Sequence, residues 1–173
     1  GLTGGAERFY MNLSRSHVDD SWRAAAEGEQ WLATRNTEPS KTVWHAKQTA
    51  NRPHLDGTLN ESFWQTARAV RLQSSLHDDE AWQAAARMAY DGEFLYLGVV
   101  CRKAADATYA EPPTGPRQHD ADLSNHDRVE LLLDLDRDFA TYYRMTMDHR
   151  GWTSEACWGD VSWNPTWYVA SQR

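Results

Sequence analysis

The sequence predicts a mainly β chain: an antiparallel β-sandwich preceded by an α-helical hairpin. Three observations lead there. Residues 1–40 carry apolar side chains at helical spacing. Beyond them the periodicity becomes strand-like. The strand-like runs are short and separated by turn residues, with no helix between them, as in sandwiches.

The helical part divides into two. Residues 6–16 read as a short helix, with Phe9, Tyr10 and Leu13 supplying apolar surface. Asp19 or Asp20 offers an N-cap for a second helix reaching to about residue 34. Along it Trp22, Ala25, Ala26, Gln30 and Trp31 form an apolar stripe. A tight His17-Val18-Asp19 turn joins the two as an αα-hairpin. One hairpin rarely buries its own stripe, so it either packs on the following domain or ends a helical repeat array, although no internal repeat is visible. Residues 36–42 are polar with one proline and read as a linker, giving domains 1–40 and 41–173.

The strand-like part begins with Asp56-Gly57, a turn into a short helical segment anchored by Phe63 and Trp64. Residues 86–90 and 94–101 are β-rich and flank Asp91-Gly92-Glu93, a hairpin signal. Tyr90 and Tyr96 there suit the core or the sheet face. Residues 104–125 form a polar loop with Pro112, Pro113, Gly115 and Pro116, of a length usually tied to function or mobility. Residues 129–135 are the next strand, 136–140 a turn, and 141–148 the return. His149-Arg150-Gly151 is a further turn in which Gly151 is free to take positive φ. Residues 153–158 and 167–170 complete the set as less regular strands.

Composition excludes several functions. The 173 residues carry 25 acidic and 18 basic side chains, a net charge of −7, which disfavours nucleic acid because phosphate binding needs clustered Lys and Arg. No polybasic stripe suits an anionic membrane, and no apolar run approaches the roughly 18 residues that span a bilayer. Nine tryptophans stand out, a residue favoured in cores, interfaces and sugar-stacking sites. Cys101 and Cys157 fit no metal spacing, and two cysteines alone decide neither pairing nor compartment. No nucleophile with its base, phosphate loop or zinc spacing is present. The seven histidines, His17, His45, His54, His77, His119, His126 and His149, are scattered in polar context and read as surface or turn residues.

Four segments, in order, carry a resemblance. Residues 52–67 (RPHLDGTLNESFWQTA) resemble an opening P-x-h-D-G-x-h-x-E-x-x-W-x-x-A, where h is apolar. Residues 86–97 (ARMAYDGEFLYL) are similar to an A-R-h-x-h-D-x-x-Y-L-Y-h hairpin. Residues 126–134 (HDRVELLLD) resemble x-D-x-V-E-h-h-h-D, and 142–148 (YYRMTMD) the strand that follows. Together they resemble the family-9 carbohydrate-binding modules and their DOMON-like relatives, over about residues 52–170. The resemblance implies an immunoglobulin- or jelly-roll-like sandwich that binds sugar or polysaccharide ends without catalysis. It also implies a larger parent protein, an enzyme such as a glycoside hydrolase or an adhesion protein, outside the cytoplasm (periplasmic, cell-surface or secreted). The family has further strands, so an open sheet edge and self-association are expected.

In sugar-binding members the polar face of the strand equivalent to 141–148 lines the site. Here that face carries Tyr142, Arg144, Thr146 and Asp148, and the other carries Tyr143, Met145 and Met147. Arg144 and Asp148 suit the paired hydroxyls of a sugar, with Thr146 between them; the competing reading is a solvated outer face. Asp127 either borders this face or caps a strand entry. Residues three apart on a strand face opposite ways, so Asp127 and Glu130 are not a glycosidase dyad. The Trp that sugar-binding members carry three residues before Asp127 is Ser124 here, beside Leu123. Trp152, Trp158, Trp163 and Trp167 crowd the last strands, and Trp158 and Trp163 are the candidates to stack on a sugar from another direction, against simply covering the sheet's end. Asp120, Asp122 and Asp127 are candidate calcium ligands, against a solvated acidic loop; no other cofactor is expected. Haem ligation by Met145, Met147, His126 or His149 lacks any distinguishing spacing. The alternative function is a degenerate module acting as a structural or protein-interaction domain.

Overall fold

The computed structural model describes residues 4–15, 21–36, 38–39, 41–73, 83–103, 105–109, 115–138 and 140–172. The His17-Val18-Asp19 turn, the Asp19 and Asp20 caps, His77, Pro112 and Pro113 lie outside them. The chain divides into two compact units, Gly1–Trp44 and His45–Arg173. The first holds α1 (Gly4–Ser14) and α2 (Ser21–Thr34), which pack on each other. Ala25 and Ala26 of the expected stripe are buried, whereas Trp22 remains 59% exposed.

The second unit contains two sheets and one short helix, and is mainly β and mostly antiparallel. The first sheet is centred on β3 (Ala84–Tyr90), paired along its length with β4 (Leu95–Cys101). β2 (Val70–Leu72) pairs antiparallel with Ala84–Ala86 of β3, and β1 (Lys47–Gln48) pairs parallel with Ala89 and Tyr90. Asp91 shapes the β3–β4 turn: Oδ1 accepts the N–H groups of Glu93 (2.7 Å) and Phe94 (2.8 Å), and Oδ2 accepts the Tyr96 hydroxyl (2.6 Å). The Tyr96 bond, followed by the two backbone donors, holds the Asp91 carboxyl at about 2. Burial and then Asp91 push the Tyr96 phenol up to about 12.

α3 (Ser62–Thr66) lays Phe63 and Trp64 on this sheet, forming a buried cluster with Ala67 and Ala89, flanked by Leu59 and Tyr96. Small residues permit the approach. A Cβ on Gly98 would stand 2.8 Å from Leu59 Cδ1 and 3.3 Å from the Trp64 ring, so β4 accepts no side chain there.

The second sheet has the order β5 (Arg128–Leu133), β6 (Tyr143–Asp148), β7 (Thr153–Cys157), antiparallel throughout. β5 ends before the expected residue 135 because Asp134 Oδ1 accepts Arg137 N–H and begins the turn. β6 starts at Tyr143 because Asp138 binds Thr141 through N–H (2.6 Å) and Oγ1 (2.7 Å). Gly151 adopts φ +82° in the β6–β7 turn, as expected. Residues 167–170 are extended but join no strand, a correction to the sequence reading. Their segment is instead fixed by side chains: Arg117 Nη1 donates to Val169 O (2.8 Å), and Tyr168 meets Phe94 edge-on at 6.1 Å. Cys101 and Cys157 are both free thiols.

Candidate functional site

Register sorts the side chains of the second sheet onto two faces. Residues directly opposite share a face, and alternate residues along a strand do too. Arg144 is opposite Leu132 and Ala156, and Thr146 opposite Glu130 and Ser154. One face therefore carries Arg128, Glu130, Leu132, Arg144, Thr146, Asp148, Ser154 and Ala156. The other carries Val129, Leu131, Leu133, Tyr143, Met145, Met147, Thr153, Glu155 and Cys157.

The face expected to be polar and open is partly closed. Thr146 and Asp148 are 4% and 2% exposed, more deeply buried than Met145 and Met147 on the other face. Thr146 Oγ1 lies 3.5 Å from Glu130 Oε2. Asp148 is engaged internally: Oδ1 accepts Arg150 N–H (2.8 Å) and Trp152 N–H (3.1 Å), and Oδ2 lies 2.6 Å from both Nε and Nη2 of Arg150. Burial works against its charge, but the Arg150 side chain and the two backbone donors outweigh it and hold the carboxyl below its ordinary range. Arg150 in turn stacks 3.8 Å over the Trp152 ring. Asp148 thus organises the turn and has little left to offer a ligand.

Arg144 differs. It is half-buried and has no hydrogen-bond or ion-pair partner among the described residues. Glu130 and the 55%-exposed Leu132 share its face. Two positions beyond Ala156, Trp158 N–H donates to Tyr142 O (2.9 Å). Trp158 is 68% exposed and holds φ at +48°, a left-handed conformation unusual for a bulky residue. Tyr142 is 40% exposed beside it. Trp163 is half-buried against Tyr143, with ring centroids 5.0 Å apart, so it covers the sheet.

The three candidate calcium carboxylates have separate engagements. Asp122 Oδ1 accepts Ser124 N–H (3.0 Å). Asp127 accepts the Tyr109 hydroxyl, and Tyr109 stacks on His149 at 4.5 Å. Asp120 turns to His119, with Oδ2 3.2 Å from Nδ1. The three do not converge into a shared cluster among the described residues.

Sequence reasoning missed a different grouping. Thr153 N–H donates to Gln118 O (3.2 Å) and Ala121 N–H to Thr153 O (3.0 Å), so the loop runs beside the start of β7. This brings His119 and Asp120 to Glu155, on the same face as Thr153. His119 Nε2 contacts Glu155 Oε1 closely, and the Glu155 side chain is fully buried. The hydrogen bond to Asp120, with added charge from Glu155, raises the His119 imidazole above its ordinary value despite some desolvation. No spacing signal was available for a pair joined only by loop placement.

Elsewhere, a shallow depression lined by Thr49, Ala50, Arg52, Asp91, Gly92 and Glu93 lies on the first sheet, away from Arg144 and Trp158. Its charges satisfy one another: Arg52 pairs with Glu93, lies 3.5 Å from Asp91 and covers the Phe94 ring at 4.9 Å. We read it as structural. No helix among the described residues is long and apolar enough to cross a membrane. Comparison with known protein families, curated proteins and solved structures found no match.

Proposed function

We propose that His45–Arg173 is a non-catalytic carbohydrate-binding domain of β-sandwich type, working beside other domains of a larger extracytoplasmic protein. The observation that supports this reading most is the half-buried, unpartnered Arg144 on a sheet end that also presents the exposed Trp158 and Tyr142. A guanidinium fork suits adjacent hydroxyls, Glu130 supplies an acceptor on the same face, and an aromatic ring suits the apolar face of a pyranose. Asp148 holds the turn that ends β6 and so acts as a positioning residue. β5 and β7 end the three-stranded sheet; the start of β7 is bonded to Gln118 and Ala121, so self-association through an edge would begin at β5.

A scaffold that binds no sugar is the second reading. It draws on Ser124, whose carbonyl accepts Arg128 Nη1 (3.2 Å) where sugar-binding modules place an aromatic ring.

Calorimetric titration of the whole chain with mono- and oligosaccharides, with and without calcium, tests the proposal. At least one sugar is expected to bind, and Arg144→Ala and Trp158→Ala each to weaken it by about tenfold, or ~1.4 kcal/mol, with unchanged circular dichroism. Silence across the panel leaves the scaffold reading. Binding that survives both substitutions moves the site off this face.

A further inference from the structure

The described residues bury two carboxylates in the second sheet, and they are handled in opposite ways. Asp148 receives two backbone N–H groups and a guanidinium. Glu155 is 1% exposed, sits opposite Met145 on a face of methionine, leucine and valine, and among the described residues no backbone N–H or guanidinium reaches its carboxylate. Its close neighbour is His119 Nε2. An ionised carboxylate taken out of water without donors is costly, by several kcal/mol or more. One imidazole placed between two carboxylates neutralises only part of that charge.

We propose that His119, Asp120 and Glu155 form a binding site for a divalent cation of the zinc class. Each residue offers one ligand atom, and these atoms lie within 4.8 Å of one another. Donors on one ion held at about 2.0–2.2 Å lie closer together than that, and Asp120 now faces Nδ1 while Glu155 faces Nε2, so binding requires the exposed Asp120 side chain to swing to the Nε2 side. An imidazole nitrogen with two carboxylates suits a borderline cation, whereas calcium takes six to eight oxygens. Glu155 is a fixed ligand on β7, while His119 and Asp120 arrive on a loop segment already bonded to Thr153 through Gln118 and Ala121. The His119 side chain is 43% exposed, which gives the ion a path from solvent and leaves room for water to complete its shell. Bound there, the cation compensates the Glu155 charge and clamps the loop onto β7. A second grouping, His126, Asp148 and His149, is less suited because Asp148 is saturated by Arg150 and the turn. The proposal does not depend on sugar binding.

The test is titration of the whole chain with zinc against a chromophoric chelator, with thermal unfolding in parallel. One equivalent is expected to bind and to raise the melting temperature. His119→Ala and Glu155→Gln are each expected to weaken binding at least tenfold and to remove the thermal shift. His119 is exposed enough for its variant to fold, so that result decides the matter if Glu155→Gln does not. Failure of the unaltered chain to take up zinc overturns the proposal, leaving an imidazolium held between two carboxylates. Uptake unaffected by His119→Ala, or lost instead in His149→Ala, overturns it in favour of another location. Calcium binding as tightly through the same residues overturns the zinc-class assignment.

Discussion

The two sheets of the second unit are built on different physical grounds. The first is stabilised by apolar burial: Phe63, Trp64, Ala67 and Ala89 cluster beneath α3, and the Arg52–Asp91–Glu93 group lies at its rim. In the second sheet the most buried positions include Thr146, Asp148, Thr153 and Glu155, and the largest fully buried side chains are Glu155 and Asp148. Meanwhile Leu132, Leu135, Tyr142 and Trp158 stand exposed. A scaffold needs no such inversion of polar and apolar groups. The first sheet also exposes Leu95 and Val100, so it is the buried charge that distinguishes the second. The contrast teaches that the first sheet is held mainly by apolar burial, whereas the second encloses charged groups that need specific partners.

That contrast can be broken by mutation. Trp64→Ala is expected to have the largest effect, about 3 kcal/mol in denaturant unfolding. The value sits at the low end for a buried aromatic because the indole N–H has no acceptor and its removal is a partial relief. Arg150→Ala is expected to cost about 2–3 kcal/mol, less than removing a partner from a wholly unsupported pair, because Asp148 keeps two backbone donors. A larger loss for Arg150→Ala than for Trp64→Ala would reverse the assignment of fold-carrying roles.

The smallest effects sharpen the comparison through pH, because Asp91 and His119 respond with opposite signs. Asp91 titrates at about 2, below the ordinary carboxylate value near 3.9. Its contribution to stability is therefore complete above about pH 4 and lost as pH falls towards 2. His119 is raised above its ordinary value, so its contribution is complete below about pH 6.5 and lost as pH rises through the raised value. Melting temperatures measured across pH for the unaltered chain, Asp91→Asn and His119→Ala are expected to show a reduced acid slope only in the first variant, Asp148 keeping part of it, and a reduced near-neutral slope only in the second. Both slopes persisting undiminished in both variants would show that other groups set the pH dependence.

Legibility followed sequence distance. The Asp91 turn was readable because a carboxylate that bonds N–H groups two and three residues on is a local device. Phe63 and Trp64 were readable as anchors from their place in a short helical pattern. β1 and β2 were missed because two or three residues carry no period, and each exists only through its partner β3. The alternation of β6 was readable, but which face is more buried was not. Thr146 is enclosed through Glu130, sixteen residues away, and that contact does not show in a pattern of polar and apolar letters; the Asp148 turn is as local as the Asp91 one but was not read. Arg144 was legible as a candidate, whereas its freedom from partners is a property of the folded sheet.

The amino-acid sequence by itself determined the change from helical to strand-like periodicity, the principal strands β3 to β7, their turns and the apolar anchors. Each of these arises from interactions within a few residues, where backbone propensity, side-chain period and turn chemistry act directly. Only the tertiary structure decided that His119 and Asp120 meet Glu155 and that Trp158 is left in solvent. The His119–Glu155 meeting depends on a loop being bonded to a strand more than thirty residues away. A free energy of that kind is a property of the closed fold, and no local run of residues contains it.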